Sequence, residues 1–194
     1  MTESLQAPLD LGALRQRARQ HLEQGAVTAG YQADREQLLL QLNAALATEL
    51  VCVLRYRYHH FMARGIHAQA VGAEFLAHAN EELAHADLLA ERIVQLGGRP
   101  DFSPATMLAR SHAEYVPGEG LTDMIREDLV AERIAIDSYR HLIGALHGQD
   151  PTTRRLLEGI LAVEEEHADD LADLLQHAPQ AALQQPARPA LLAL

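Results

Sequence analysis

Four long stretches of the chain carry apolar residues at alternating steps of four and three, the period of a helix with one buried face. The first has no glycine or proline between Glu36 and Arg64, and Gly65 ends it. Its seam reads Leu42, Leu46, Glu49, Val53, Tyr56, His60. The second runs from about Ala68 to Leu96 and stops at Gly97-Gly98-Arg99-Pro100, with seam His78, Glu82, His85, Leu89, Ile93, Leu96. The third runs from Thr122, a candidate N-cap, to His147, with seam Ile125, Asp128, Glu132, Ala135, Tyr139, Leu142, Leu146. The fourth opens at Asp150-Pro151, an N-cap followed by a proline suited to the first helical position. Its seam is Leu157, Ile160, Glu164, His167, Leu171, Leu174.

Four such helices predict an all-α four-helix bundle about 40 Å long at 1.5 Å per residue. Short turns join the first helix to the second and the third to the fourth, giving two antiparallel hairpins. Residues 97–120 hold Pro100, Pro104 and Pro117 with Gly97, Gly98, Gly118 and Gly120. They predict a long crossover with little regular structure, which makes the second and third helices parallel neighbours. Residues 1–34 read as an N-terminal extension with a short outer helix around Leu9–Glu23. Residues 35–178 form the bundle, and 179–194 a tail with room for one short helix near Leu191.

Composition narrows the function classes. Aromatic residues are only 4% and tryptophan is absent, so the core is aliphatic. Ala and Leu together make roughly a third of the chain, as in helix-rich proteins. One cysteine excludes an internal disulfide framework and a Cys-x-x-Cys metal knuckle. A net charge of -11 disfavours nucleic acid and favours cation handling, and the extension sums to about zero charge. No apolar run reaches the roughly 18 residues of a membrane span, and the first residues lack the basic-then-apolar order of a secretion signal. The expectation is a cytoplasmic protein without membrane contact.

The seams are interrupted by acids and histidines in a repeated order. The first hairpin carries Glu49, then Glu82-x-x-His85; the second carries Glu132, then Glu164-x-x-His167. A residue and the one three positions on share a helix face, so each pair presents a carboxylate and an imidazole together. A lone Glu on a seam is ordinarily misphased or solvated. Four in repeat order on four separate seams are not, and they imply two hairpins related by a pseudo-two-fold. Four carboxylates this close cannot all stay ionised in a core without cations. Two divalent metals balance their charge, the arrangement of dinuclear carboxylate bundles. Glu81, Glu165 and Glu166 flank the motif and read as solvated.

The stretch from Arg35 to His177 resembles bacterioferritin, within the ferritin-like superfamily. The resemblance rests on LNAALATEL around Glu49, NEELAHADLLAERIVQLGGRP around Glu82 and His85, DLVAERIA around Glu132 and ILAVEEEHADDL around Glu164 and His167. It implies a ferritin-like fold that oxidises Fe(II) with O2 or peroxide and stores ferric mineral inside a homo-oligomeric shell of 12 or 24 subunits. It implies two iron ions per subunit, with manganese or zinc as substitutes. Glu49, Glu82, His85, Glu132, Glu164 and His167 are then the catalytic metal ligands, Glu82 and Glu164 bridging. Bacterioferritins ligate haem through a methionine directly after the first Glu of the first pair. Leu83 stands there, so no haem is expected.

Around that set, the resemblance places Tyr56 where a tyrosine can donate an electron during oxygen reduction. Asp128, one turn before Glu132, reads as an acceptor for a ligand histidine. Tyr139 reads as packing, His60 and His78 as polar or interfacial histidines, and Cys52 as a small packed residue. Two other readings stay open. A dinuclear manganese or iron enzyme that destroys peroxide, of the manganese catalase or rubrerythrin kind, uses a related ligand set. A DNA-protecting starvation protein uses the same fold, but its usual iron site lies between subunits, and all six candidates here lie in one chain.

Overall fold

In the computed structural model, which describes residues 9–66 and 68–176, every regular element among the described residues is helical. The outer helix α1 (Leu11–Arg17) is capped by Asp10, and a single 3-10 turn follows at Leu22–Gln24. The bundle consists of α2 (Arg35–Met62), α3 (Ala68–Gln95), α5 (Leu121–Leu146) and α6 (Pro151–Gln176). The expected crossover contains one short helix, α4 (Pro104–Arg110), opened by a proline in its first turn. The tail, with the short helix expected near Leu191, lies outside the described residues.

Local chemistry sets the ends. Asp34 accepts the amide of Gln37 at 3.1 Å and starts α2. At the end of α3 the amide of Gly98 reaches the carbonyl of Ile93 and that of Gly97 the carbonyl of Val94, a glycine-terminated helix stop. Gly97 has φ of +77°, where a side chain would be strained. Gly98 lets Leu39 pack close, because a Cβ there would lie 2.5 Å from a Leu39 methyl and push it aside. Helix α5 starts at Leu121 after Gly120, not at a Thr122 cap, because Gly120 is the last extended residue and no side chain bonds the first amides.

The ring order is α2–α3–α6–α5, with the tightest packing inside each hairpin. One apolar cluster joins Leu42 and Leu46 to Leu89, Ile93, Leu142, Leu157 and Ile160. The other joins Cys52 and Tyr56 to Val71, Phe75, Met124, Ile125 and Leu171. These groupings make α3 and α5 parallel, as the crossover requires. They sit at opposite corners, however, and not as neighbours, because α2 and α6 lie between them. By length and composition α2 could cross a membrane, but more than half of its apolar window is buried in the bundle.

The crossover is fastened along the outside of α2 by polar contacts. Asn43 donates to the carbonyl of Arg99 and accepts the amide of Asp101 at 2.7 Å, and Thr48 accepts the amide of His112. Arg55 donates to the carbonyl of Glu114 at 2.8 Å, and His59 Nε2 lies 3.1 Å from the carbonyls of Val116 and Pro117. These bonds carry the chain back along the bundle and explain how a glycine- and proline-rich segment is ordered.

At the start of α6, Asp150 does more than cap. Its carboxylate accepts the amide and hydroxyl of Thr153, both oxygens accept from Arg92 Nη2, and Tyr31 donates at 2.8 Å. Burial alone would raise its pKa, but the bonds from Thr153, Arg92 and Tyr31 hold it at about 2. A depressed carboxylate contributes stability above its unfolded value of 3.8, lost as pH falls through about 2. Replacing Asp150 by Ala removes the cap and strands the buried Arg92 guanidinium. The variant should lose about 3 kcal/mol in denaturant unfolding at neutral pH. A loss below about 1 kcal/mol would show that this network is not the clasp described.

Candidate metal centre

The two apolar clusters leave a polar layer between them, one level deep on all four helices. Glu49 on α2, Glu82 and His85 on α3, Glu132 on α5 and Glu164 and His167 on α6 meet there, each at most 6% exposed. Their donor atoms form two groups. Glu49, Glu82, His85 and Glu164 have ligand atoms within 4.8 Å of one another, and so do Glu82, Glu132, Glu164 and His167. Glu82 and Glu164 belong to both groups. The structure thus brings together all six residues singled out from the sequence.

The histidines point the same ring nitrogen inward. His85 Nδ1 is 3.0 Å from Glu164 Oε1, 3.2 Å from Glu82 Oε2 and 3.7 Å from Glu49 Oε2. His167 Nδ1 is 3.3 Å from Glu82 Oε1 and 3.6 Å from Glu164 Oε2. His167 Nε2 faces the other way and contacts Glu81 Oε2 at 2.6 Å. If Nε2 carries the proton, Glu81 accepts it and Nδ1 is left as an inward lone pair. Glu81 is half exposed, but it is a positioning partner and not the solvated bystander expected.

Two tyrosines orient the lone glutamates. Tyr56 donates to Glu132 Oε1 and Tyr139 donates to Glu49 Oε1, both through fully buried hydroxyls. That leaves Glu49 Oε2 3.7 Å from His85 Nδ1, while Glu132 Oε1 stays 4.0 Å from His167 Nδ1. Tyr139 therefore has a role that its apolar-looking seam position concealed. The sequence did hold a signal: Tyr139 lies two seam steps, seven residues, beyond Glu132, the same interval that separates Tyr56 from Glu49.

Asp128 was expected to serve a ligand histidine; it does not. It accepts Arg55 Nε at 2.9 Å and contacts His59 Nδ1 at 2.7 Å, all three fully or almost fully buried. An acid this deep must meet a cation or a hydrogen-bond donor, and α2 supplies both from one face. The buried histidine at that end of α2 is thus His59, while His60 is half-buried and contacts the Gly72 carbonyl at 2.6 Å. His78 is no interfacial residue: it is 2% exposed and stacks on His167 with ring centroids 4.0 Å apart. Cys52 packs in the apolar cluster, and Leu83 lies 40% exposed on α3 with no atom that could ligate a haem.

The residues fit a pair of bound cations. Glu82 Oε1, Glu132 Oε2, both oxygens of Glu164 and His167 Nδ1 are buried without a hydrogen-bond partner among the described residues. Atoms of that kind are rare in a stable core unless an ion or water completes them. Without cations the cluster retains protons. Burial, then the charges of Glu164, Glu132 and Glu49, push Glu82 well up, and burial with Glu164 does the same to Glu132. Burial opposes charge on the histidines, but the surrounding carboxylates raise His85 to about 12 and His167 to about 9. Glu164 goes the other way, to about 2, because the imidazoles of His167 and His85 beside it favour its charged form against the cost of burial. Glu82, Glu132 and Glu164 interact, so their protons belong to the three together and not to any one of them.

A family model for the ferritin-like domain matches residues 39–181. A nutrient stress-induced DNA-binding protein of Synechococcus sp. is 33% identical over 138 residues, 69% of this chain and 78% of that protein. The bacterioferritin of Mycobacterium avium is 30% identical over 146 residues, 75% of this chain and 87% of the relative. Among solved structures, a dodecameric thioferritin, the bacterioferritin-related protein of Bacteroides fragilis, superposes with a TM-score of 0.72 at 34% identity, over 74% of this chain and 86% of that one. The Dps of Thermosynechococcus elongatus shares the fold, with a TM-score of 0.70 at 24% identity over 77% and 96%. The chain belongs to the ferritin-like family.

The sign of the pH dependence follows from these groups. The raised histidines contribute stability below their unfolded value of 6.5, and His167's share is lost as pH rises through about 9. The raised glutamates act in the same direction, since the folded metal-free state holds protons that the unfolded chain releases near 4.5. Glu164 opposes them only in acid, and His78 and His112, both lowered by burial, oppose them as two groups against four. Metal-free protein should therefore melt at a lower temperature at pH 8.5 than at pH 5.5, and excess Mn(II) should reverse the order. Scanning calorimetry with and without chelator reads both, and a metal-free form most stable at pH 8.5 would contradict the proton inventory.

Proposed function

We propose that the protein is a cytoplasmic ferroxidase that binds two iron ions per chain, oxidises Fe(II) with O2 or H2O2, and stores or detoxifies iron within a homo-oligomeric shell. One observation carries this reading: two buried four-donor groups share Glu82 and Glu164 and are completed within one chain. Hard carboxylate donors with imidazole suit iron in both oxidation states. Bound iron supplies the electrons, each Fe(II) giving one to the oxidant. The chain's residues prepare that chemistry. Glu82 and Glu164 each offer an atom to both groups and can hold two ions side by side. Tyr56 and Tyr139 fix the orientation of Glu132 and Glu49. Glu81 holds the His167 ring with Nδ1 inward. Ions that enter must displace the protons kept on this cluster, so loading weakens as pH falls.

The assembly reading draws on the dodecameric thioferritin relative and on the exposed apolar side chains of α2 and α3, among them Leu54, Phe61 and Val94. The relative named as a DNA-binding protein supports one second reading, protection of DNA, which a net charge of -11 disfavours. The donor set also suits a dinuclear manganese or iron enzyme acting on peroxide.

Aerobic Fe(II) titration of metal-free protein separates these readings. Wild type should oxidise Fe(II) rapidly and Glu164→Ala should lose at least a hundredfold in initial rate. Equal rates would remove the ferroxidase reading. Sizing with iron counting distinguishes about two irons per chain, a cofactor, from hundreds per assembly, a store. Peroxide dismutation by Mn-loaded protein without iron uptake would favour the peroxide enzyme, and a gel shift at low salt would favour DNA protection.

A further inference from the structure

Beside the dinuclear layer lies a second constellation, on the face where α3 meets α6. Glu74 and His78 stand one turn apart on α3, and Asp170 lies one turn beyond His167 on α6. His78 Nε2 is 3.5 Å from Glu74 Oε1 and 4.0 Å from Asp170 Oδ2. The two carboxylates are accessible, with side chains 43% and 51% exposed, whereas the histidine is 2% exposed.

The other ring nitrogen decides what Nε2 can do. Tyr56 donates its hydroxyl proton to Glu132, so its oxygen is left to accept, and His78 Nδ1 lies 3.3 Å from it. A proton on Nδ1 satisfies that contact and leaves Nε2 as a lone pair. Nε2 is buried and has no hydrogen-bond partner among the described residues. It thus aims a lone pair towards two carboxylate oxygens, which have nothing to donate. Three acceptors converge on one point, an arrangement that a cation relieves. Glu74, His78 and Asp170 each have a ligand atom within 4.8 Å of the others.

We propose that Glu74, His78 Nε2 and Asp170 form a third, mononuclear divalent-cation site, separate from the six-residue centre. One imidazole and two carboxylates leave coordination positions for water and suit Fe(II), Mn(II) or Zn(II). The site opens to solvent through its two acids. Its histidine reaches the buried centre from behind, since His78, Glu132 and His167 also place donor atoms within 4.8 Å of one another. An ion held here therefore lies one imidazole ring away from the buried pair.

The test is anaerobic equilibrium dialysis of the metal-free full-length protein against Mn(II), with metal and protein counted. Glu74→Gln combined with Asp170→Asn removes both acids without touching the six central residues. Wild type should bind one more Mn(II) per chain than this double variant. A charge-matched control, Glu91→Gln with Glu158→Gln, should retain the wild-type number. Equal numbers in wild type and the Glu74/Asp170 variant would overturn the site, and so would the same loss in the control. Anomalous diffraction from Mn(II)-soaked crystals gives the second reading: a peak about 2.2 Å from His78 Nε2 is expected, and its absence at full loading would overturn the site. The readout is a difference of one ion, so a failure of the dinuclear reading would appear separately, as a lower number in all proteins.

Discussion

Four carboxylates packed into the middle of an aliphatic bundle are the constraint from which the rest of the structure follows. Glu49, Glu82, Glu132 and Glu164 are each at most 1% exposed, with apolar clusters above and below them. A hydrophobic core would ordinarily reject such a group, because desolvation and mutual repulsion each cost several kcal/mol. The chain limits that cost in three ways. Two histidines face the acids, two tyrosines donate to the lone glutamates, and the remaining charge is left for protons or cations. The oxygens of Glu164 and the Oε2 of Glu132, without a hydrogen-bond partner among the described residues, mark where that charge remains to be met.

The surrounding architecture keeps that layer in register. Asp128 with Arg55 and His59, and Asp150 with Arg92 and Thr153, are buried polar clusters toward the two ends of the bundle. Each joins helices from different hairpins. The first also ties down the crossover, since Arg55 and His59 bond its carbonyls. Sliding one hairpin along the other would break both clusters as well as the centre. Buried polar groups thus fix the alignment that an aliphatic interface alone leaves degenerate.

Much of this was legible in the sequence, for a physical reason. A bundle helix exposes one seam to the core, so an acid or histidine on a seam is placed as firmly as a leucine. That is why Glu49, Glu82, His85, Glu132, Glu164 and His167 could be placed at one level. Residues beside the seam were not legible. Arg55, His59 and Glu81 reach inward from neighbouring positions through long or rotatable side chains, and only packing reveals their direction. Tyr139 was on a seam but gave no sign of its hydroxyl's partner. Asp128 was placed at the right depth and given the wrong neighbour, because periodicity gives depth on one helix and not which side chain arrives from another. Helix α4 was missed because glycine and proline dominate the crossover, while its order comes from tertiary bonds to Asn43 and Thr48.

The central claim is that the buried acids are a seat for two cations shared by Glu82 and Glu164. Anomalous diffraction from crystals loaded with Mn(II) reads it most directly. The account predicts two peaks within the four-helix layer, one among Glu49, Glu82, His85 and Glu164 and the other among Glu82, Glu132, Glu164 and His167. A fully loaded crystal with no peak in that layer would contradict it.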